Sequence, residues 1–160
     1  MDLKTRRLII NEFNQADIFS WSEIDCNPEV RKYLPQKIIS AVDAQKYIEE
    51  TIQSYQRNGF GRYAVRYKKT NKLIGMCGFL LEDYGIDFGY RFAPSVWAQG
   101  IGYEAAERVL SFGKLDLGLS PIYALALKEN CASIKIIEKL NFKFTGLINI
   151  YQKDVLKYIS

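Results

Sequence analysis

The stretch from Tyr90 to Ala105 contains the residues whose types and spacing most directly suggest chemistry. A strand-like pattern ends near Phe92, and two glycines, Gly100 and Gly102, stand where a helical pattern begins. A helix N-terminus presents unpaired N–H groups and a partial positive charge, and glycine lets a ligand approach the backbone closely. The pattern therefore indicates a seat for a phosphate or pyrophosphate. The simpler interpretation is that the glycines only permit a tight turn.

One kind of phosphate site that this turn could form is a dinucleotide site. Gly100 to Ala105 matches the fingerprint G-x-G-x-x-G/A, which would make the protein an NAD-dependent oxidoreductase. That site needs its turn directly after a strand, between parallel βα units. Here seven residues separate Phe92 from Gly100, and short turns link the preceding strands. The dinucleotide interpretation is therefore the less favoured one.

The choice of groups for proton transfer is narrow, because the chain has no histidine. This excludes Ser-His-Asp and Cys-His catalysis and the common His-containing zinc sites. A carboxylate, tyrosine, lysine, cysteine or water must move any proton. The three cysteines, Cys26, Cys77 and Cys131, form no Cys-x-x-Cys pair and indicate reduced thiols. We expect no metal site, and we interpret Cys77 and Cys131 as packing residues.

Length and composition predict one globular domain over residues 1–160. The net charge of +4 is mild, and Lys and Arg are scattered, so we expect no nucleic-acid partner. No stretch approaches the ~18 apolar residues of a membrane span, so we expect a cytoplasmic protein without a membrane partner. Nothing in the pattern decides between a monomer and a homodimer.

The elements that must position these residues follow from periodicity and turn chemistry. Alternating or β-branched runs predict strands at Arg7–Phe13, Gly61–Tyr67, Leu73–Leu81, Ile86–Phe92, Ile122–Leu127, Lys143–Ile150 and Val155–Ile159. Helical spacing predicts four longer helices, which the order below counts, at Gln15–Ile24, Ser40–Arg57, Gly100–Leu117 and Ala132–Leu140, and a shorter helical segment at Pro28–Tyr33. The order β-α-α-β-β-β-α-β-α-β-β predicts an α/β (α+β) fold with a mixed sheet, antiparallel in its first half and covered by helices on both faces.

Six motifs, set on this order of strands and helices, make the chain resemble the GNAT N-acetyltransferases. They are typical of the branch of the ribosomal-protein N-terminal alanine and serine acetyltransferases. The pyrophosphate motif Q/R-x-x-G-x-G/A is filled by Trp97-Ala-Gln-Gly-Ile-Gly102, where Trp97 is typical of that branch and Ala98 replaces a glycine. The other motifs are Thr5–Leu8 (T-x-R-L), Leu73–Gly78 (L-I-G-x-x-G), Asp87–Tyr90 (E-I-G-Y), Asn130–Ser133 (N-x-A-S) and Glu138–Phe142 (E-K-x-G-F). The resemblance implies the GNAT-like acyl-CoA N-acyltransferase fold, with acetyl-CoA as co-substrate.

The resemblance also implies a cofactor site in a gap between the Asp87–Phe92 strand and the Ile122–Leu127 strand. A backbone N–H of Arg91 or Phe92 would stabilise the thioester oxyanion. Asn130 and Ser133 would lie along the pantetheine arm, although both are also ordinary residues at a helix start. The pyrophosphate would contact Trp97, Ala98, Gln99, Gly100, Ile101, Gly102 and Tyr103.

Catalytic groups are less clearly implied. Asp87 occupies the position of the family's usual base and would act directly or through water, with Glu82 or Asp83 as substitutes. Ile137 occupies the position of the usual acid, a tyrosine, so Tyr90, Tyr103 or water would protonate the thiolate, or the thiolate would leave unprotonated. The acceptor is a primary amine, either a protein N-terminus or a small molecule, in a pocket built from the first helices and the last hairpin. A non-catalytic CoA-binding module stays open as an alternative.

Overall fold

A single eight-stranded mixed sheet carries the fold, and the computed structural model describes all 160 residues. The strands are β1 (Asp2–Lys4), β2 (Leu8–Asn11), β3 (Arg62–Tyr67), β4 (Leu73–Glu82), β5 (Gly85–Phe92), β6 (Ile122–Ala126), β7 (Lys143–Ile150) and β8 (Lys153–Ile159). The helices are α1 (Ile18–Asp25), α2 (Ala41–Asn58), α3 (Ile101–Leu115) and α4 (Cys131–Lys139). In space the strands follow the order β1-β2-β3-β4-β5-β6-β8-β7.

The parallel pair β5 and β6 is the irregular part of this sheet. All other neighbours are antiparallel, but β5 and β6 pair only at Ile86 with Ile122 and at Asp87 with Tyr123. Beyond these positions β5 continues to Phe92 and β6 continues to Ala126, but the two strands no longer pair with each other. The two strands therefore diverge and leave the space that we call the β5–β6 gap.

Helices cover both faces of the sheet, as predicted. The larger apolar core of 24 buried residues includes Ala105 and Val109 of α3 and Ile137 of α4. A smaller core on the other face joins Trp21 of α1 and Ile48 of α2 to the sheet. The β5–β6 gap thus opens between two packed helical layers.

Local capping chemistry decides several boundaries. Ser40 and Asp43 form a reciprocal capping box at the start of α2. Gly59 ends α2 in the left-handed conformation, with φ of 75°. Asn141 adopts φ of 64° after α4, so it replaces the family's glycine without loss of that turn.

Two predictions about elements are wrong. Strand β1 was not expected, because its three residues are too few for a periodic pattern, and pairing with β2 creates it. The segment Pro28–Tyr33 is a series of turns and not a helix. Its backbone bonds mix i−4 and i−3 partners, and Pro35 disfavours helical geometry at the residue before it.

Candidate active site

A cavity of about 460 Å³ opens into the β5–β6 gap and extends across the face of the sheet that α1 and α2 cover. On the gap side it is lined by Phe88, Tyr90, Leu125, Ala126, Leu127, Asn130, Ser133 and Ile137. On the other side, the turn after α1 and the turn between β7 and β8 form opposite walls, with Tyr33 and Tyr151 among them. One opening therefore serves both a long ligand in the gap and a second ligand between the turns.

Backbone direction along β5 decides which N–H groups face the gap. The Ala93 N–H donates to the Ile74 carbonyl of β4 at 2.9 Å. Because backbone groups alternate along an antiparallel strand, the Arg91 N–H also faces β4, while those of Tyr90 and Phe92 face the gap. Of the two predicted oxyanion donors, the geometry supports Phe92 and not Arg91.

The segment Trp97–Gly102 forms the loop that leads into α3. Ala98 and Gly100 are left-handed, with φ of 57° and 73°, and α3 begins at Ile101. The Trp97 indole N–H donates to the Phe92 carbonyl at 2.9 Å, which ties the loop to the end of β5. The N-terminus of α3 thus lies next to the end of β5, whose edge towards β6 is unpaired. This arrangement fits a ligand that has a pyrophosphate followed by an extended arm.

Ala98 is the residue in this loop that adopts a conformation unfavourable for its type. A left-handed alanine costs roughly 1–2 kcal/mol, and glycine costs about 0.4–1 kcal/mol in the entropy of the unfolded chain. We expect Ala98→Gly to stabilise the protein by about 0.5–1 kcal/mol, measured by urea denaturation. The exposed helical control, Ala132→Gly, is expected to destabilise it by about 0.5–1 kcal/mol. Equal losses of unfolding free energy in Ala98→Gly and Ala132→Gly would contradict the strain inferred at Ala98.

The other predicted residues of the loop have structural partners as well. The Gln99 amide donates to the Ser95 carbonyl at 2.9 Å. A Cβ on Gly102 would lie 3.2 Å from Ile136 Cδ1, so this glycine permits the close approach of α3 and α4. The Tyr103 hydroxyl donates to Glu107 at 2.6 Å.

Arg7 is a site residue that the sequence analysis did not identify. Its Nε donates to Glu104 Oε2 at 2.6 Å, its backbone N–H donates to Oε1 at 2.9 Å, and its Nη1 donates to the Gln99 carbonyl at 2.9 Å. Partial burial raises the pKa of Glu104, but the bonds from Thr5 and Arg7 outweigh it and hold that pKa below its usual value. Arg7 lies in the Thr5–Leu8 motif and Glu104 lies in the Gly100–Ala105 stretch. The sequence therefore marked both regions but did not show that the two residues pair.

At the start of α4, Asn130 and Ser133 meet Tyr90 across the gap. Asn130 Oδ1 accepts the Ser133 N–H at 3.2 Å and caps the helix. The Tyr90 hydroxyl donates to the Ser133 carbonyl at 3.0 Å, and burial raises the pKa of Tyr90. Tyr90 therefore carries its proton at neutral pH. The Ser133 that it contacts lies one helical turn before Ile137, which is buried.

Asp87 is buried and paired with the guanidinium of Arg62, which also donates to the Gly78 carbonyl. Glu82, on the neighbouring strand and the same face of the sheet, lines the cavity too. Burial and the nearby charge of Asp87 raise the pKa of Glu82. Burial and Asp87 likewise raise the pKa of Tyr84. The cavity thus holds two carboxylates, of which Arg62 neutralises one.

The Arg91 side chain points away from the gap. It pairs with the buried carboxylate of Asp25 and lies 5.7 Å and 5.3 Å from the ring centroids of Trp21 and Tyr47. Arg31, in the turn after α1, binds the same carboxylate at 2.8 Å. Arg91 therefore holds the turn that forms one cavity wall, and neither its N–H nor its side chain lies where a cofactor contact was predicted.

Three further aromatic residues and the predicted packing cysteines divide by burial. Tyr33 lines the cavity, whereas Trp21 and Tyr63 are buried in the two cores. Cys77 is fully buried, and burial raises its thiol pKa, which fits a packing residue. Cys131 is exposed, so the interpretation of this cysteine as a packing residue is wrong. No helix is long and apolar enough to cross a membrane.

Comparison with known proteins gives a consistent result. Residues 7–143 match the acetyltransferase (GNAT) domain. The chain is 30% identical over 159 residues to an uncharacterised N-acetyltransferase, p20, of Bacillus licheniformis, covering 94% of this chain and 87% of p20. A GNAT acetyltransferase of Bacillus anthracis superposes with a TM-score of 0.86 at 24% identity, covering 100% of this chain and 98% of that one.

A second solved structure shares the fold with a bound ligand. RimL, a ribosomal L7/L12 α-N-protein acetyltransferase in complex with coenzyme A, superposes with a TM-score of 0.85 at 16% identity, covering 100% of this chain and 97% of RimL. At such identities the likeness shows the fold alone.

Proposed function

We propose, from the premise that this chain belongs to the GNAT family of acetyl-CoA-dependent acetyltransferases, that it acetylates a primary amine held between the turn after α1 and the turn between β7 and β8. Family membership gives the reaction class and its co-substrate, and it leaves the acceptor to be identified. Family membership also argues against a dinucleotide site. The structure gives a separate reason, because a 3₁₀ turn at Pro94–Val96 separates β5 from the glycines.

The observation that carries the proposal is the divergence of β5 from β6 directly beside the N-terminus of α3. The backbone groups of Tyr90 and Phe92 that face the gap offer an extended arm the pairing of an added strand. The Trp97–Gly102 loop and the first N–H groups of α3 offer a pyrophosphate both donors and positive potential. Acetyl-CoA supplies a thioester, and the Phe92 N–H is the proposed donor to its carbonyl oxygen as charge develops there.

Two proton transfers remain for side chains of the cavity. The ammonium of the acceptor must lose a proton before attack, and Asp87 is the proposed base, directly or through water. Glu82 is the neighbouring alternative. Tyr90, which keeps its proton at neutral pH, is the proposed donor to the leaving thiolate. The amine attacks directly in this scheme, so no nucleophilic residue is needed.

The first test is calorimetric titration with acetyl-CoA, CoA and NADH. We expect acetyl-CoA and CoA to bind and NADH not to bind. Ala98→Asp should weaken acetyl-CoA binding by roughly tenfold or more, because a carboxylate in the loop repels the pyrophosphate. Ala98→Asn is the matched control, since it has the same shape, tolerates the left-handed conformation and adds no charge.

This titration, followed by an assay of thiol release with a panel of amines, decides between the alternatives. Failure of the folded protein to bind acetyl-CoA would contradict the proposal. Binding without thiol release in the presence of any amine would favour the non-catalytic module. Binding with thiol release that depends on an amine would support the transferase.

A further inference from the structure

We propose that the acceptor carries a single ammonium group on an apolar body. This inference rests on the proposed function and concerns the part of the cavity between the two turns. A small arylalkylamine and the N-terminus of a peptide with an apolar second residue share this chemistry. A polyamine does not.

The charges that line the cavity mostly neutralise one another. They are Arg62, Glu82, Asp87, Arg91 and Lys153. Asp87 is paired with Arg62, and Arg91 is paired with Asp25 beneath the cavity wall. Glu82 is thus the one carboxylate left without an ion-pair partner, and Lys153 is the one such cation. A single ammonium finds a partner here, while a second one would meet an apolar wall or the charge of Lys153.

The rest of the lining near the turns is apolar or aromatic. It consists of Val30, Leu34, Pro35, Met76, Ile150 and Val155 together with the rings of Tyr33, Tyr84 and Tyr151. Burying a charged group against such side chains without a partner is unfavourable, whereas burying a hydrocarbon body gains free energy. The lining therefore selects against amines that carry several charges.

Strain in the β7–β8 turn points to the same conclusion. Its two central residues, Tyr151 and Gln152, are both left-handed, with φ of 51° and 62°. This turn geometry favours Asn-Gly, so a tyrosine and a glutamine are held there at a cost in stability. This turn brings Tyr151, a residue that is 75% exposed, to the rim of the cavity. An exposed ring on an unfavourable turn at a ligand cavity fits a wall for the acceptor.

The test compares phenethylamine, the tripeptide amide Ala-Phe-Ala-NH2 and spermidine as acceptors, with acetylated products measured by mass spectrometry. We expect kcat/KM for phenethylamine or the peptide to exceed that for spermidine by roughly 10²-fold. A higher value for phenethylamine identifies a small-molecule acceptor, and a higher value for the peptide identifies a protein N-terminus. Spermidine acetylated as well as either would overturn the inference.

The double variant Tyr151→Asn/Gln152→Gly tests the role of the turn. It should raise Tm by about 2–4 °C, because Asn-Gly suits the turn. It should also raise the KM of the favoured amine by roughly tenfold while leaving the KM of acetyl-CoA unchanged. The control, Leu147→Ser, removes an exposed apolar side chain of the same hairpin outside the cavity and should change neither KM.

An unchanged amine KM in the double variant would overturn the assignment of Tyr151. Absence of product with every amine, although acetyl-CoA binds, would overturn the proposed function together with this inference. That case is recognised because no amine then gives a measurable rate to compare.

Discussion

Replacing Asp87 by asparagine is expected to lower kcat/KM for the amine by roughly 10²-fold or more while leaving the Kd of acetyl-CoA unchanged. Asparagine keeps the size of the side chain and a hydrogen-bond acceptor for Arg62, but it cannot take the proton of an ammonium. The measurements are steady-state kinetics with the favoured amine and calorimetry with acetyl-CoA. If both kcat/KM for the amine and the Kd of acetyl-CoA stay within about threefold of the wild-type values, Asp87 has no part in the mechanism.

The control for this variant is Asp17→Asn. Asp17 is buried and paired with Arg66, as Asp87 is paired with Arg62, but it does not line the cavity. Both variants leave an arginine without its carboxylate, so they should lose similar free energies of unfolding. A loss of activity confined to Asp87→Asn therefore reports chemistry and not a general loss of stability.

The variant Glu82→Gln, compared with Asp87→Asn over a range of pH, decides which of the two carboxylates is the base. The charge of Asp87 contributes to the raised pKa of Glu82, so removing that charge should lower this pKa towards its usual value. If Glu82 takes the proton, Asp87→Asn remains active and the acidic limb of its kcat/KM profile moves to lower pH. If Asp87 takes it, Glu82→Gln remains active and Asp87→Asn does not.

Asp25→Ala is expected to destabilise the protein by about 3–5 kcal/mol, because it leaves two arginines without their shared carboxylate in the interior. Asp25 is 2% exposed and binds both Arg31 and Arg91, which joins α1, the following turn and β5. The free energy of unfolding from urea denaturation is the measurement. A loss below about 1 kcal/mol would show that water replaces the carboxylate at little cost.

Arg31→Met is the companion variant, since it leaves the Asp25–Arg91 pair intact. Arg31 also donates from Nε to the Gln36 carbonyl at 2.6 Å, so its loss should loosen the turn. We expect a smaller loss of stability, about 1–3 kcal/mol, with a raised KM for the amine and an unchanged KM for acetyl-CoA. An equal rise in both KM values would show that the turn does not act on the acceptor alone.

The order of elements and the cofactor loop were predictable from the sequence because local chemistry encodes them. Ser40 and Asp43 mark a helix start, Gly59 marks a helix end, and the glycines at 100 and 102 mark the start of α3. These signals act within a few residues of each other, so they survive in a linear pattern. The short strand β1 and the turns at 28–33 were missed because pairing with β2 and an ion pair to α1 decide them.

The sequence by itself determined which residue types are available and, through local capping and turn signals, the order of the longer strands and helices. Only the tertiary structure decided their partners: Arg62 with Asp87, Arg91 with Asp25, and Arg7 with Glu104, pairs that lie 25, 66 and 97 residues apart. Those pairings depend on strand register and on which face each side chain takes, and a shift of one residue would reverse the face. This is why the sequence suggested Arg91 as a cofactor contact and the fold instead uses it to hold the wall of the acceptor cavity.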